Sequence, residues 1–272
     1  MNNTFNINRF GLLLKRQWLD FGKIYLISLV VLLGIVLGFY SYNIPSPLKD
    51  NNFDYDGNLD MRFRYPLFLI LGFIFISIVA SSYFNILGQK SRAILELMTP
   101  ASVFEKFLAG VVYTAIISLF SYLLIFYLTD LAFVKYLNSH LDAFKGLLPK
   151  NGAVREVETI TYQVFNDEGY REYCGYFFAF PFLITSVFLL GSVYFNRFHY
   201  IKTALSVMVF ASLISYLIVK ISVWLMENKV AIHHNFRKDD KDWVLLSILL
   251  ITSILTLIIW TITYVRLKEK EV

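Results

Sequence analysis

Six apolar runs constrain this chain more than any other feature of its sequence. They lie near Ile24–Tyr42, Pro66–Leu87, Phe107–Leu128, Tyr176–Phe195, Thr203–Met226 and Trp243–Val265. Each is long enough to cross about 30 Å of hydrocarbon as an α-helix. In lipid every backbone N–H and C=O must find a partner within the protein, and a helix supplies those partners inside the run itself. Only 17% of the residues are charged, against about 25% in soluble domains, and the charges collect between the runs. The expected fold is an all-α membrane protein, with six transmembrane helices in a single domain spanning residues 1–272. The first run starts only after about 23 residues and is too long for a signal-peptide core, so it is expected to remain as the first span.

Lysine and arginine set the expected orientation. With both termini in the cytoplasm, the cations outside the spans, those of the termini included, divide evenly between the two sides. Five of the outer ones, Lys135, Lys145, Lys150, Arg155 and Arg171, fall in one long loop over residues 129–175. Short loops near span ends carry the weight of the positive-inside rule, so the bias favours a cytoplasmic N-terminus. The net charge of +5 is spread along the chain and forms no nucleic-acid footprint. Within the 129–175 loop, Leu131, Val134, Leu137, Leu141, Phe144 and Leu148 recur at helical spacing. Ile160, Tyr162 and Val164 alternate as a short strand would. Together they predict a small extracytoplasmic cap between spans three and four. Lys220 is the one ionisable residue well inside a span. It lies near the predicted outer end, where a long side chain reaches the interface, and a substrate contact is the competing reading.

Two segments outside the spans carry pattern. In residues 1–23, Ile7, Phe10, Leu14, Trp18 and Phe21 share one helical face, with Arg9, Arg16 and Asp20 opposite. That arrangement predicts a helix lying in the membrane surface against lipid headgroups; the alternative is an extension of the first span. The other segment, residues 88–106, joins spans two and three. Ser91–Met98 reads as a short helix stopped by Pro100, since the residue before proline avoids the helical region. Ser102 and Glu105 have the spacing of a capping box that starts the third span. A short helix tied by a capped turn to a membrane helix can act as a lever, and an ordinary well-capped loop would look the same.

This second segment resembles a known family. Arg92, then Leu95-Glu96-Leu97-Met98, Thr99-Pro100, Ser102 and Glu105-Lys106 look like the first cytoplasmic loop of ABC-2-type transporter permeases. The interfacial N-terminal helix and the six-span plan are similar as well. Ala93 stands where the family usually has glycine, and Val103 where it has arginine. The resemblance implies a bacterial cytoplasmic (inner) membrane location and a cytoplasmic coupling helix that docks on a separate ABC ATP-binding subunit. Arg92, Glu96, Thr99, Pro100, Ser102, Glu105 and Lys106 would make that contact, with Arg197 and His199 in the next cytoplasmic turn as a second one. It also implies a second permease protomer, in a homo- or heterodimer, and an exporter. Gly34 and Gly38 in the first span would permit close helix approach at such an interface. A non-transporting module that senses an extracytoplasmic partner is the alternative reading.

No catalysis is expected of this chain. It lacks the Gly-rich phosphate loop of a nucleotide-binding site, so ATP and magnesium would bind the partner. A single cysteine, Cys174, excludes an internal disulfide and a cysteine-built metal cage. None of the four histidines falls in a predicted span. His233-His234 with Asp239-Asp240 reads as a solvated loop. Asp54, Asp56, Asn58 and Asp60 lack the terminal glutamate of a calcium loop, so no cofactor or metal site is expected.

Overall fold

The structure is a computed structural model, described here for residues 5–45, 59–85, 98–144, 156–226 and 238–271. Among these residues every regular element is a helix. In chain order they are α1 (Ile7–Tyr42), α2 (Arg64–Tyr83), α3 (Val103–Val111), a π-helical turn (Val112–Ile117), α4 (Ser118–Ser139), a 3-10 turn (Leu141–Phe144), α5 (Ile160–Asn166), α6 (Glu168–Phe177), α7 (Phe180–Tyr194), α8 (His199–Met226) and α9 (Lys238–Glu271). Six stretches are long and apolar enough to cross a membrane: Ile7–Tyr42, Arg64–Tyr83, Val103–Ser139, Tyr173–Tyr194, His199–Trp224 and Asp242–Lys270. They match the six runs of the sequence.

Three elements differ from expectation. The predicted surface helix and the first span are one continuous helix, α1. No proline interrupts residues 7–42, and Gly22, the natural weak point, is covered by the Trp18 indole, 3.2 Å from where a Cβ would stand. The expected strand around Ile160 is the helix α5. Its N-cap Thr159 accepts a hydrogen bond from the Tyr162 amide, and this local bond favours the helical turn over the extended chain. The third span does not end near Leu128, since α4 continues to Ser139. The helical spacing of Leu131, Val134 and Leu137 belongs to that continuation, and Val134 and Leu137 are buried.

The chain divides into two compact units. The first comprises Met1–Lys15, Ile76–Ala115 and Tyr176–Val272. Here α7 packs against both α8 and α9, and α9 also meets α3. The facing surfaces carry small hydroxyl residues: Thr185, Ser186 and Ser192 on α7 and Thr252, Thr256 and Thr263 on α9 are all buried. Each returns its hydroxyl hydrogen to a carbonyl of its own helix, as Thr252 does to Ile248 and Thr263 to Ile259. Such side chains satisfy themselves and keep helices close, which is how helices pack where lipid offers no hydrophobic drive. Gly191 shows how close: a Cβ there would lie 1.9 Å from Thr203 Oγ1 on α8. Phe104 and Phe107 of α3 set their ring edges on Tyr264 of α9. The hydropathic window of α8 has no buried residue, so this helix presents its apolar sides to lipid or to another chain. Its Lys220 places Nζ 5.8 Å from the Tyr216 ring, a cation–π contact that suits a snorkelling side chain.

The second unit comprises Arg16–Phe75 and Ile116–Gly175. An aromatic core holds it together. Tyr40 meets Phe133 edge-on at 4.7 Å, and Phe68 meets Phe126 at 4.8 Å. Edge-to-face rings of this kind add about 0.5–1.5 kcal/mol beyond the area they bury. Tyr122 lies against Gly72, where a Cβ would come within 2.8 Å of its ring. The Tyr122 hydroxyl donates to the Phe68 carbonyl. Tyr25 donates to Ser121 Oγ at 2.7 Å, and its hydroxyl also lies 3.2 Å from the Ile117 carbonyl at the end of the π-helical turn. A wider helical turn frees carbonyls from their usual partners, and Tyr25 reaches one of them.

Candidate functional site

The first candidate site lies at the start of α3, within the first unit. Ser102 has the extended backbone of an N-cap (φ −69°, ψ 152°), and its hydroxyl accepts from the Glu105 amide. Glu105 reaches back so that its Oε2 accepts from the Ser102 amide at 2.9 Å. This is the reciprocal capping box expected from the sequence. Glu105 goes further. Its Oε1 accepts from the Asn6 amide at 2.9 Å, and the Arg9 guanidinium grips both carboxylate oxygens at 2.7 Å. The carboxylate is wholly buried, and a planar fork on a carboxylate is among the stronger charge-assisted contacts. Tyr113 adds a hydrogen bond to the Leu14 carbonyl at 2.8 Å. Leu13 packs with Ala101 and Ala109, with Phe10 and Leu14 alongside. The first turns of α1 and the capped start of α3 are therefore one tied structure.

The residues predicted for partner contact are distributed unevenly. Thr99, Ser102, Glu105 and Lys106 are buried, while Pro100 is exposed. Arg92 and Glu96, with most of the predicted coupling helix, lie outside the described residues. In the next turn Arg197 is exposed, and Phe198 sits at φ 54°, a strained backbone for a bulky residue. His199 is turned inward, and both ring nitrogens are shielded without a hydrogen-bond partner among the described residues. Of the predicted lipid-facing stripe, Phe10 and Leu14 are half-buried, Phe21 is buried, and Trp18 is 40% exposed. Gly34 and Gly38 have no atom within 4 Å of a built Cβ and stand on the open side of α1. His233 and His234, and Asp54, Asp56 and Asn58, lie outside the described residues.

The sequence reading missed a second polar centre, in the second unit. Asp130 lies inside α4 and is fully buried, and Arg64 in the first turn of α2 is 1% exposed. Arg64 Nη1 stands 3.0 Å from Asp130 Oδ1. The same oxygen accepts from the Tyr40 hydroxyl at 2.9 Å, and Oδ2 accepts from the Ile160 amide at 2.8 Å. Arg64 Nη1 also donates to the Glu158 carbonyl at 3.1 Å. Asn138 clamps the neighbouring Val157 backbone in both directions, at 2.9 and 3.0 Å. The centre thus gathers α1, α2, α4 and the extended segment before α5. A buried ion pair survives only when its remaining hydrogen-bonding capacity is met, and here the carboxylate receives three donors. A cavity of about 320 Å³ adjoins it, with Leu59, Met61, Arg64, Tyr65, Glu158 and Gln163 among its lining residues. The signal was available: an apolar helical period runs straight through Asp130 without a breaker, so the acid had to lie inside a helix.

These features define a multi-pass, all-helical membrane protein with two buried, fully engaged carboxylates. No family model, no curated protein and no solved structure matches the chain at a significant level.

Proposed function

We propose that this chain is the membrane-spanning permease subunit of an ATP-driven transporter of the ABC-2 type. It would work in a bacterial cytoplasmic membrane as a homo- or heterodimer, with both termini inside, and export its cargo. ATP and magnesium belong to a separate ATP-binding subunit, and the chain itself is not an enzyme.

One observation carries this reading. The loop that resembles the family's coupling segment ends on Ser102, and Glu105 ties that end to Asn6 and Arg9 of α1. A partner that displaces residues 88–101 would move the starts of α3 and α1 together, because a single buried carboxylate holds both. Glu105 then serves the coupling from inside, as the pin that passes motion on. The exposed Pro100 and the sequence before it form the docking face.

The test is co-expression with a candidate ABC ATP-binding subunit, followed by co-purification. Wild-type chain is expected to retain the subunit and stimulate its ATPase. Glu96→Lys is expected to abolish both while leaving the permease folded. Unchanged complex formation and stimulation in Glu96→Lys would remove the coupling assignment.

A further inference from the structure

The two short helices α5 and α6 turn aromatic rings outward. On α5, Ile160 is buried and Gln163 and Val164 are half-buried. Their spacing of three and four residues makes them the inner face of the helix. Tyr162 and Phe165 stand on the other side, and Phe165 is 65% exposed. On α6, Tyr170 is exposed, and so is Cys174 one turn further on.

The level at which these rings stand is set by α2. That helix has 20 residues, about 30 Å at 1.5 Å per residue, which is the thickness of the hydrocarbon layer. A span with no length to spare has its first turn at a membrane boundary. Tyr65 lies in that turn and holds both short helices. Its hydroxyl donates to Gln163 Oε1 of α5, and its ring stacks on Tyr170 of α6, with centroids 5.8 Å and planes 14° apart. The chain itself agrees, because the next candidate span begins at Tyr173, inside α6. Both helices are thus pinned where hydrocarbon gives way to headgroups, the layer in which membrane proteins collect amphipathic rings.

We infer that α5 and α6 bind the membrane surface, lying in the headgroup layer with Tyr162, Phe165 and the Tyr170–Cys174 side of α6 set among lipids. They do not stand in water as a cap. Apolar burial of the rings drives the contact. Residues 156–175 carry five acids, Glu156, Glu158, Asp167, Glu168 and Glu172, against the single cation Arg171, so anionic headgroups offer no attraction. The inference does not rest on the permease reading or on the orientation, because every residue involved belongs to the second unit and either leaflet presents the same layer.

The only thiol of the chain, Cys174, makes the test direct. Full-length protein is labelled there with a nitroxide and reconstituted in phosphatidylcholine vesicles. A second sample carries the label at Phe165→Cys in a Cys174→Ser background, and an unchanged melting temperature establishes that both are folded. Collision of the nitroxide with dissolved oxygen, which favours lipid, is compared with collision with a water-soluble nickel chelate. Oxygen is expected to prevail at both positions, at a depth of about 5–10 Å into the headgroup layer. Adding phosphatidylglycerol or salt is expected to leave that depth unchanged. Three results would overturn the proposal. Nickel prevailing at either position would mean a cap in water. Exclusion of both reagents, or spin–spin broadening between copies, would mean that protein covers this face. A depth reached only with phosphatidylglycerol and lost in salt would mean that charge, and not the rings, makes the contact.

Discussion

The Tyr40 hydroxyl donates to Asp130 Oδ1 across 2.9 Å, and both side chains are almost wholly buried. Asp130 also neutralises Arg64, so its removal leaves a guanidinium buried without a countercharge. Asp130→Ala is expected to cost about 3–5 kcal/mol, whereas Tyr40→Phe, which deletes one hydrogen bond, is expected to cost about 1 kcal/mol. The double variant Arg64→Met/Asp130→Leu removes both charges and is expected to recover most of the Asp130→Ala loss. Unfolding titrations in mixed detergent micelles measure all three. A double variant as unstable as Asp130→Ala would show that the charges themselves, and not their imbalance, hold the fold.

Glu105 serves four donors from three residues, Asn6, Arg9 and Ser102. Ser102→Ala removes only the hydroxyl that caps α3 and is expected to cost about 1 kcal/mol. Glu105→Ala releases the N-terminal turn as well. Hydrogen exchange discriminates the two: Ser102→Ala should accelerate the Glu105 amide alone, whereas Glu105→Ala should accelerate those of Asn6 and Ser102. Unchanged exchange at Asn6 in Glu105→Ala would mean that the carboxylate does not hold the start of α1.

The six spans were legible because apolar length is a local property, readable without knowing any neighbour. The Ser102–Glu105 box was legible for the same reason, since its partners lie three residues apart. The grip of Arg9 on Glu105 was not, because those residues are distant in sequence and nothing in either neighbourhood announces the other. Asp130 falls just past the third apolar run, which places it in the following loop. Pairing with Arg64 lets the acid be buried, and α4 runs on through it to Ser139. The strand expected at Ile160 failed because alternation over three apolar residues is weak beside a Thr159 cap that fixes a helical turn.

Gly191 is expected to be irreplaceable where α7 crosses α8. A Cβ at that position would stand 1.9 Å from Thr203 Oγ1 and 2.8 Å from its methyl group, on a side chain that is 4% exposed. Gly191→Ala should therefore cost about 1–3 kcal/mol, the usual range for overpacking. Thr203→Ala removes the two nearest atoms, so it should relieve much of the loss when combined with Gly191→Ala. Thermal unfolding of the single and double variants checks this. Additive losses would mean that the helices part rather than press on this pair.

The orientation is open to direct labelling, because the candidate span Val103–Ser139 separates Pro100 from Glu156. Both residues are exposed. Cys174, also exposed, is first replaced by serine, which leaves a chain without thiols. In that background a membrane-impermeant maleimide is expected to label Glu156→Cys in intact cells. Pro100→Cys should react only after the cells are opened. The positive-inside bias that motivates this arrangement weighs cations near short loops, and Lys106 lies beside the Pro100 turn. An inverted pattern, with Pro100→Cys reactive from outside, would put the Ser102–Glu105 pin on the wrong side for any cytoplasmic ATPase.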